Sequence, residues 1–334
     1  MLKDDNIDMG KFHLVHYGKK DPFFDELGLQ TKFIRNFWTP FGGLKLYNEM
    51  TRANIVIVHS LAAPWLLLLI GFSKKIADKI YWVIWGKDLY IHKTLEKRFF
   101  YHEVYEYFRK KAFKNIHNVI AFSKEDYELA KQWYGVSGNM FECNSLYPYA
   151  LDYTKTEMVQ CKQDQYSILL GNSASKTNNH LEALTTLSKY IDKINKIYCP
   201  LSYNGTEKYK KDVVNLGTEL FSDKFVAMLD FVSKDEYFDI ISKIDIGFFN
   251  YNRQEGLANI YSLIMNGKTV YLRKNTTSYK FLKRKDIKVF SIDDMEGLCC
   301  LNIGEMVSNR DQLLPLIEVE TSLRVWKTIF KEGC

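Results

Sequence analysis

Short apolar segments alternate with amphipathic ones along most of this chain, and such alternation is typical of parallel β/α units. One polar stretch, at 154–165, interrupts the pattern and has the composition of a linker. Before it, strands are predicted at 12–17, 54–58, 79–85 and 118–122. After it, strands are predicted at 166–170, 196–201, 225–229, 245–249, 269–272 and 288–291. We therefore expect an α/β protein with two Rossmann-like domains that face a cleft.

The interruption also sets the expected domain boundaries. A chain of 334 residues is long enough to bury two hydrophobic cores. We predict a first Rossmann-like domain at 1–150, a linker at 151–165, a second Rossmann-like domain at 166–315 and a C-terminal helix at 316–334.

Three local patterns in the first half complete the outline. Phe41-Gly42-Gly43 predicts a loop, and 95–113 predicts a long amphipathic helix. The apolar run 55–72 contains His59 and Pro64, so a strand followed by a helix is favoured over a membrane span, which remains the alternative. The polar N-terminal residues predict no signal peptide.

Positive charge is concentrated in one part of the chain. The net charge is +6, and 72–114 alone carries 11 basic and 5 acidic residues, interleaved with aromatic ones. Basic and aromatic residues together suit an anionic membrane surface or a lipid-linked substrate. Nucleic acid would also attract such a surface, but no nucleic-acid motif accompanies it, so none is expected as a partner. The alternative is a solvated helix with one packed face.

A polar turn follows the first predicted strand of the second domain. Gly171 permits a tight turn, and Asn172 and Ser173 are natural helix caps or phosphate donors, with Asn178 further along. The helix that follows would present free N–H groups to an anion. An ordinary capped helix is the alternative, because neither a GxGxxG nor a Walker pattern is present.

Two further strand ends in the second domain carry similar residues. Ser202, Tyr203 and Tyr209 follow one strand, and the segment Arg253-Gln254-Glu255-Gly256 with Asn259 follows another. Arg253 offers a cation, Gly256 permits close backbone approach, and the next helix offers N–H groups to a diphosphate. Glu255 could accept from a ribose or sugar hydroxyl. A weak surface ion pair and a turn glycine are the alternatives. Because three such ends share one sheet, a nucleotide site is favoured.

Two strand ends in the first domain carry candidate proton acceptors. Asp88 directly follows an apolar strand, where a carboxylate facing the cleft could act as a general base. His59 could do the same, with a more suitable unperturbed pKa. The alternatives are a helix cap for Asp88 and a satisfied polar group for His59.

A metal site is not expected. The histidines lack metal-ligand spacing, and the six cysteines include no CxxC pair. No Asp-x-Asp stands at a strand end in the cleft region, so a helix dipole with Arg253 fits the diphosphate better than Mg²⁺. We therefore predict no metal and no cofactor.

Four segments together resemble one known family. They are Ile84-Trp85-Gly86-Lys87-Asp88-Leu89-Tyr90, Leu170-Gly171-Asn172-Ser173 with Asn178 and His180, Pro200-Leu201-Ser202-Tyr203, and Arg253-Gln254-Glu255-Gly256. In order and spacing they resemble the 4-acetamido-4,6-dideoxy-D-galactose (Fuc4NAc) transferases of enterobacterial common antigen synthesis, from about 59 to about 272. Glu255 stands where that family has a second glutamine.

The resemblance implies a glycosyltransferase of the GT-B type. Its first domain would face the membrane and a lipid-linked acceptor, and its second would hold a dTDP-sugar. On this interpretation Asp88 is the first candidate for the catalytic base and His59 the second. The implied acceptor-binding residues are Ser60, Trp85, Gly86 and Tyr90. The implied nucleotide-sugar residues are Gly171, Asn172, Ser173, Asn178, Ser202, Tyr203, Tyr209, Arg253, Gln254, Glu255, Gly256 and Asn259.

The reaction implied is transfer of a deoxy-amino sugar to a polyprenyl-diphosphate-linked saccharide, at the cytoplasmic face of the bacterial inner membrane. Three alternatives remain open. The donor could be a UDP-sugar used in another O-antigen or capsule pathway. The chain could be a two-domain epimerase of sugar nucleotides. It could also be a non-catalytic module that binds saccharide or membrane.

Overall fold

The computed structural model describes residues 13–17, 30–34, 39–94, 100–145, 158 and 165–332. The chain divides into two compact units. Unit 1 comprises Met1–Cys143 with Ser322–Cys334, and unit 2 comprises Asn144–Thr321.

Unit 1 is built on parallel strands. Its strands are β1 (His13–Tyr17), β2 (Gln30–Ile34), β3 (Val56–His59), β4 (Ile80–Val83), β5 (Asn118–Ala121) and β6 (Asn139–Glu142). Its helices are α1 (Pro40–Arg52), α2 (Pro64–Phe72), α3 (Lys74–Ala77), α4 (Lys87–Thr94), α5 (Phe100–Lys114) and α6 (Lys124–Tyr134). Strands β3, β4, β5 and β6 pair in that order, and β1 pairs with β2 separately. Every pairing is parallel, as a β/α order requires.

The strand and helix predicted for the run 55–72 are present as β3 and α2. In the part of the chain that the structure describes, no helix is both long and apolar enough to cross a membrane. The predicted helix at 95–113 is present as α5, and its first predicted residues, 95–99, lie outside the described residues. The strands β2 and β6 were not predicted, and β6 is only half-buried, which weakens its apolar pattern.

The loop predicted at Phe41-Gly42-Gly43 is wrong, because these residues lie in the first turn of α1. Thr39 caps this helix, and its Oγ1 accepts from the Gly42 N–H at 3.1 Å. Pro40 occupies the first turn, where its missing N–H leaves no bond unmade. A Cβ on Gly43 would lie 2.9 Å from Trp65 Cδ2. Gly43 therefore permits close packing of α1 against Trp65, and neither glycine breaks the helix.

Unit 2 contains all six strands predicted for it. They are β7 (Tyr166–Leu170), β8 (Ile194–Pro200), β9 (Phe225–Met228), β10 (Ile246–Phe249), β11 (Thr269–Leu272) and β12 (Phe290–Ser291). The helices are α7 (His180–Ser188), α8 (Glu207–Phe221), α9 (Lys234–Lys243), α10 (Leu257–Met265), α11 (Thr277–Arg284) and α12 (Ile303–Ile317). The last helix, α13 (Val319–Glu332), begins in unit 2 and has most of its residues in unit 1.

The strand order of unit 2 places its switch point at β7. The order is β12-β11-β10-β7-β8-β9, with every pair parallel. The chain runs outward from β7 through β8 and β9, and then returns to β10 on the other side of β7. In open α/β sheets, ligands bind where the strand order reverses in this way. The strand order therefore predicts a ligand site at the carboxyl ends of β7 and β10.

A buried arginine joins four segments of unit 1. Arg109 on α5 donates to the carbonyl oxygens of Leu61 and Asp88 and to the hydroxyl of Tyr134 at 2.9 Å. Its Nε lies 2.7 Å from Glu106 Oε1. A buried cation needs such partners, because desolvation without them is costly. Arg109 therefore holds α5 against α4, α6 and the segment after β3.

Replacing Arg109 by alanine should lower the free energy of unfolding by about 3–5 kcal/mol, because Glu106 and three acceptors would be left buried without their donor. Chemical denaturation measures this change. The control is Lys110→Ala, which removes an exposed cation from the same helix and should change stability by less than about 0.5 kcal/mol. Equal effects of the two variants would contradict the role given to Arg109.

Candidate active site

The turn after β7 is held by its own side chains. Asn178 Oδ1 accepts from the Asn172 N–H at 3.0 Å, and the Gly171 N–H donates to the Phe248 carbonyl of β10 at 3.1 Å. Gly171 has a φ of +70°, and a Cβ there would lie 2.6 Å from Asn178 Oδ1. Any larger residue at this position would thus be strained and would displace Asn178.

The three strand ends predicted to carry a nucleotide site lie together. Asn172 Nδ2 donates to the Tyr203 hydroxyl at 3.0 Å, which joins the ends of β7 and β8. Thr177 Oγ1 donates to Glu255 Oε1 at 2.5 Å, which joins the ends of β7 and β10. A Cβ on Gly256 would lie 3.2 Å from Asn172 Cγ, so the backbone before α10 passes close to the β7 turn. Their convergence makes one continuous polar surface at the switch point.

Arg253 and Glu255 form an enclosed ion pair within this surface. Arg253 Nη2 lies 2.8 Å from Glu255 Oε2, and the two side chains are only 11% and 7% exposed. Burial raises the pKa of Glu255, and Arg253 and the Thr177 hydrogen bond oppose that rise. The weak surface ion pair considered from the sequence is therefore not what the structure contains. Arg253 instead has a fixed position beside the N-terminus of α10.

The N-terminus of α10 faces this cluster without a side-chain cap. Gly256 is the N-cap, with a φ of +66°, and no side chain bonds the first N–H groups of the helix. These groups have no acceptor within the helix. Gln254 Oε1 and Asn172 Oδ1 are buried nearby, without a hydrogen-bond partner among the described residues. On α10, Asn259 is hydrogen-bonded to Tyr237 of α9. Such an N-terminus suits a phosphate or diphosphate.

Three predicted nucleotide-sugar residues do not open onto this surface. Ser173 and Asn178 are buried inside the turn, so they hold its shape and do not face a ligand directly. Tyr209 bonds His180 Nδ1 at 3.2 Å and lines a pocket of about 580 Å³ beside α7 and α8. Their residue types suggested ligand contact, but the direction of each side chain depends on packing. Ser202 is half-buried at the end of β8.

In unit 1, the carboxylate of Asp88 is turned inward. Its Oδ2 accepts from the Leu61 N–H at 3.0 Å and from Trp82 Nε1 at 2.8 Å, and its Oδ1 accepts from the Trp85 N–H at 3.0 Å. The residue has no exposed surface. The expectation that it faces outward is therefore wrong, because three fixed donors hold it inside. This geometry suits a group that positions the ends of β3 and β4, and its role as a base stays a prediction.

His59 is the exposed candidate of the two. Its Nδ1 accepts from Trp85 Nε1 at 3.3 Å, with the two rings 6.0 Å apart. Partial desolvation of the ring lowers the pKa of His59, which keeps the imidazole neutral at pH 7. Ser60 beside it has a φ of +66° and is half-buried. The structure thus places His59 and Ser60, at the end of β3, beside Trp85, at the end of the neighbouring strand β4.

The other predicted acceptor residues are less accessible. Gly86 is buried at a φ of +76°, where it forms the turn into α4. Tyr90 is buried and packs edge-on against Trp133, with ring centroids 5.0 Å apart. Among the described residues, no three His, Cys, Asp or Glu side chains are grouped as a metal site would require. The absence of a metal or cofactor from the reaction stays a prediction.

Sequence reasoning did not single out Phe231 and Tyr237, which lie in the loop after β9 and in α9. Their signal was an aromatic residue soon after a predicted strand. Phe231 stacks on Tyr203, and Tyr237 bonds Asn259, so both belong to the surroundings of the cluster.

Comparison with known proteins gives one family and one fold. A family model described as 4-alpha-L-fucosyltransferase, glycosyl transferase group 56, matches residues 47–315. A glycosyltransferase from Rickettsia africae ESF-5 is similar with a TM-score of 0.64 at 14% identity, covering 93% of this chain and 87% of the other.

Two further solved structures are similar in the same way. The Candida albicans trehalose-6-phosphate phosphatase N-terminal domain has a TM-score of 0.62 at 10% identity, covering 96% of this chain and 88% of the other. The UDP-forming trehalose-phosphate synthase from Burkholderia xenovorans has a TM-score of 0.58 at 9% identity, covering 88% and 78%. At these identities the likeness shows the fold alone, and it confirms the predicted α/β fold of the GT-B type.

Replacing Asp88 by asparagine should lower the free energy of unfolding by about 1–3 kcal/mol. Both oxygens of Asp88 accept from N–H groups, so the NH₂ group of asparagine would replace one acceptor and point a donor at another donor. Thermal or chemical denaturation measures this. The control is Lys87→Ala, at an exposed position in the same helix turn. Wild-type stability of Asp88→Asn would contradict the three-donor arrangement.

Stability should also fall in acid because of His180. Burial lowers the pKa of His180 to about 4, so the unfolded chain, with a pKa near 6.5, binds the proton more readily. The stabilisation is complete above pH 6.5 and is lost as the pH falls toward 4. Between pH 7 and 5, the wild type should lose about 2 kcal/mol more than His180→Gln does. Denaturation at the two pH values measures this, and parallel losses would contradict it.

Proposed function

The chain belongs to the 4-alpha-L-fucosyltransferase family, glycosyl transferase group 56, and on that premise we propose that this glycosyltransferase moves a deoxy-amino sugar from a dTDP-sugar to a polyprenyl-diphosphate-linked saccharide. The family inferred from the four sequence motifs is thereby confirmed. The observation that carries the proposal for the donor is the cluster at the β7–β10 switch point, where Arg253 and an uncapped helix N-terminus lie side by side.

The donor diphosphate binds at the N-terminus of α10 in this proposal. The first N–H groups of the helix and the guanidinium of Arg253 supply positive charge, and the bare backbone of Gly256 permits close approach. The guanidinium of Arg253 is held in place before the sugar nucleotide binds, because it donates to Glu255, which also accepts from the Thr177 hydroxyl. Preorganised donors stabilise the negative charge that develops on a departing diphosphate.

The transfer itself exchanges one bond at the anomeric carbon of the sugar. The bond from that carbon to the diphosphate oxygen breaks, a bond to an acceptor hydroxyl oxygen forms, and a base takes the hydroxyl proton. His59 is the exposed base candidate, and its basic nitrogen in the neutral ring is Nδ1, which faces Trp85 Nε1. An acceptor hydroxyl that displaces this indole would reach that nitrogen. Asp88, beneath, keeps the strand ends in place.

The acceptor side of the proposal rests on a basic and aromatic surface of unit 1. On α1, Phe41, Leu44 and Tyr47 are exposed, and Lys45 lies 4.8 Å above the Phe41 ring. Around α5, the exposed rings of Phe72 and Tyr107 lie beside basic residues, with Lys111 only 3.5 Å above Phe72. Aromatic residues mixed with lysines suit the interface of an anionic bilayer. Such binding would bring the enzyme to lipid-linked saccharides at the cytoplasmic face of the inner membrane.

Calorimetric titration with dTDP in buffer containing EDTA tests the donor site. We expect wild-type protein to bind, and Arg253→Ala to bind about 10- to 100-fold more weakly, because a hydrogen bond to a charged group is lost. Lys268→Ala is the control. It removes a cation at the amino end of β11, whereas the donor site lies at the carboxyl ends of the strands. If Arg253→Ala binds dTDP as tightly as the wild type does, Arg253 does not bind the diphosphate. If the wild type prefers UDP to dTDP, the donor is a UDP-sugar and not a dTDP-sugar.

Sedimentation with lipid vesicles tests the membrane surface. Wild-type protein should bind phosphatidylglycerol vesicles and bind phosphatidylcholine vesicles weakly. The double variant Phe41→Ser with Leu44→Ser should lose most of this binding, because two exposed apolar side chains no longer enter the interface. The matched control is Ile303→Ser with Val307→Ser, two exposed apolar residues of α12 in unit 2. Equal binding by both double variants would contradict the assignment.

A further inference from the structure

The loop after β9 exposes apolar side chains at the carboxyl edge of the unit 2 sheet. Leu229 and Val232 are both exposed, and Phe231 is 78% exposed. A cluster of large apolar side chains on a surface marks a place where a ligand or partner binds. Because this loop lies beside the donor cluster, a ligand is favoured over a protein partner.

The ring of Phe231 has a defined orientation, because it stacks on the ring of Tyr203. The two rings are 6.1 Å apart between centroids and inclined by only 20°. The Tyr203 hydroxyl accepts from Asn172 Nδ2 at 3.0 Å, and the Tyr203 carbonyl accepts from the Ala174 N–H at 3.0 Å. The stacked pair is therefore attached to the turn after β7, and the outer face of Phe231 remains in solvent.

The pair also lies within electrostatic range of the ionic part of the cluster. Burial raises the pKa of Tyr203, and the nearby charges of Glu255, which raises it further, and of Arg253, which lowers it, also act on this hydroxyl. The strand order β10-β7-β8-β9 places the end of β9 two strand spacings, about 10 Å, from the end of β7. A ligand with its diphosphate at α10 would extend past Ser202 at the end of β8 and place its other end beside Phe231. A nucleoside diphosphate has that form, with a flat base at the far end.

We propose that Phe231, supported by Tyr203, is the platform on which the nucleobase of the donor stacks, and that it contributes affinity through the base alone. This inference rests on the proposed function, because it assumes the diphosphate site at α10. Stacking accepts any base, so Phe231 supplies affinity and does not choose between thymine and uracil. The exposed side chain contributes little to the fold, which makes it open to substitution.

Titration of wild type, Phe231→Ala and Phe231→Tyr with dTDP and with inorganic pyrophosphate tests the proposal. Phe231→Ala should bind dTDP about 5- to 150-fold more weakly, the loss expected for one aromatic stack. Its affinity for pyrophosphate should equal that of the wild type. Phe231→Tyr should restore dTDP binding, because the ring is kept. Val307→Ala, at an exposed apolar residue of α12 outside this loop, is the control and should match the wild type.

The outcomes separate this inference from the proposed function. If wild-type protein binds neither dTDP, UDP nor pyrophosphate, the donor site itself fails, and the platform fails with it. If wild type binds dTDP and Phe231→Ala binds it equally well, the platform alone is overturned, and an acceptor sugar becomes the candidate for this ring. If Phe231→Ala weakens dTDP and pyrophosphate by the same factor, the platform is also overturned, because the residue then acts on the diphosphate site.

Discussion

The pairing of β7 with β10 is the constraint on which the rest of the candidate site depends. These two parallel strands are far apart in the sequence, and their hydrogen bonds place the turn after β7 directly beside the segment before α10. Gly171 and Gly256 both take positive φ angles there, and side chains fill the space that a Cβ would need. The side chains around these two glycines are therefore closely packed, and a change at either glycine would displace its neighbours.

Each unit holds buried charged side chains at the strand ends that form its candidate site. In unit 2, Glu255 is fixed by Arg253 and by the Thr177 hydroxyl, which holds the cation beside the helix N-terminus. In unit 1, Arg109 and the inward carboxylate of Asp88 fix the segments that follow β3 and β4. Buried charges of this kind are expensive to desolvate and tolerate little displacement once paired.

The strands of unit 2 could be predicted because each is a short apolar run between polar turns, as at Tyr166–Leu170 and Thr269–Leu272. The helix α1 could not, because two glycines and a proline at its start have the composition of a loop. They form a helix only because Trp65 packs against Gly43 and Thr39 supplies a cap. The edge strand β6 was missed for a related reason, since half-buried strands carry a weak apolar signal.

The sequence by itself determined the class of fold, the family, and the three strand ends of unit 2 that meet at the switch point, because these depend on residue type and spacing along the chain. Only the tertiary structure decided which side chains at those ends face outward. Asp88 and Tyr90 have the composition of site residues and are buried, whereas His59 is exposed. Phe231 was not singled out from the sequence, yet it stacks on Tyr203 beside the donor cluster. The physical reason is that a side chain's direction is fixed by the hydrogen bonds and packing of distant segments, and spacing along the chain does not contain that information.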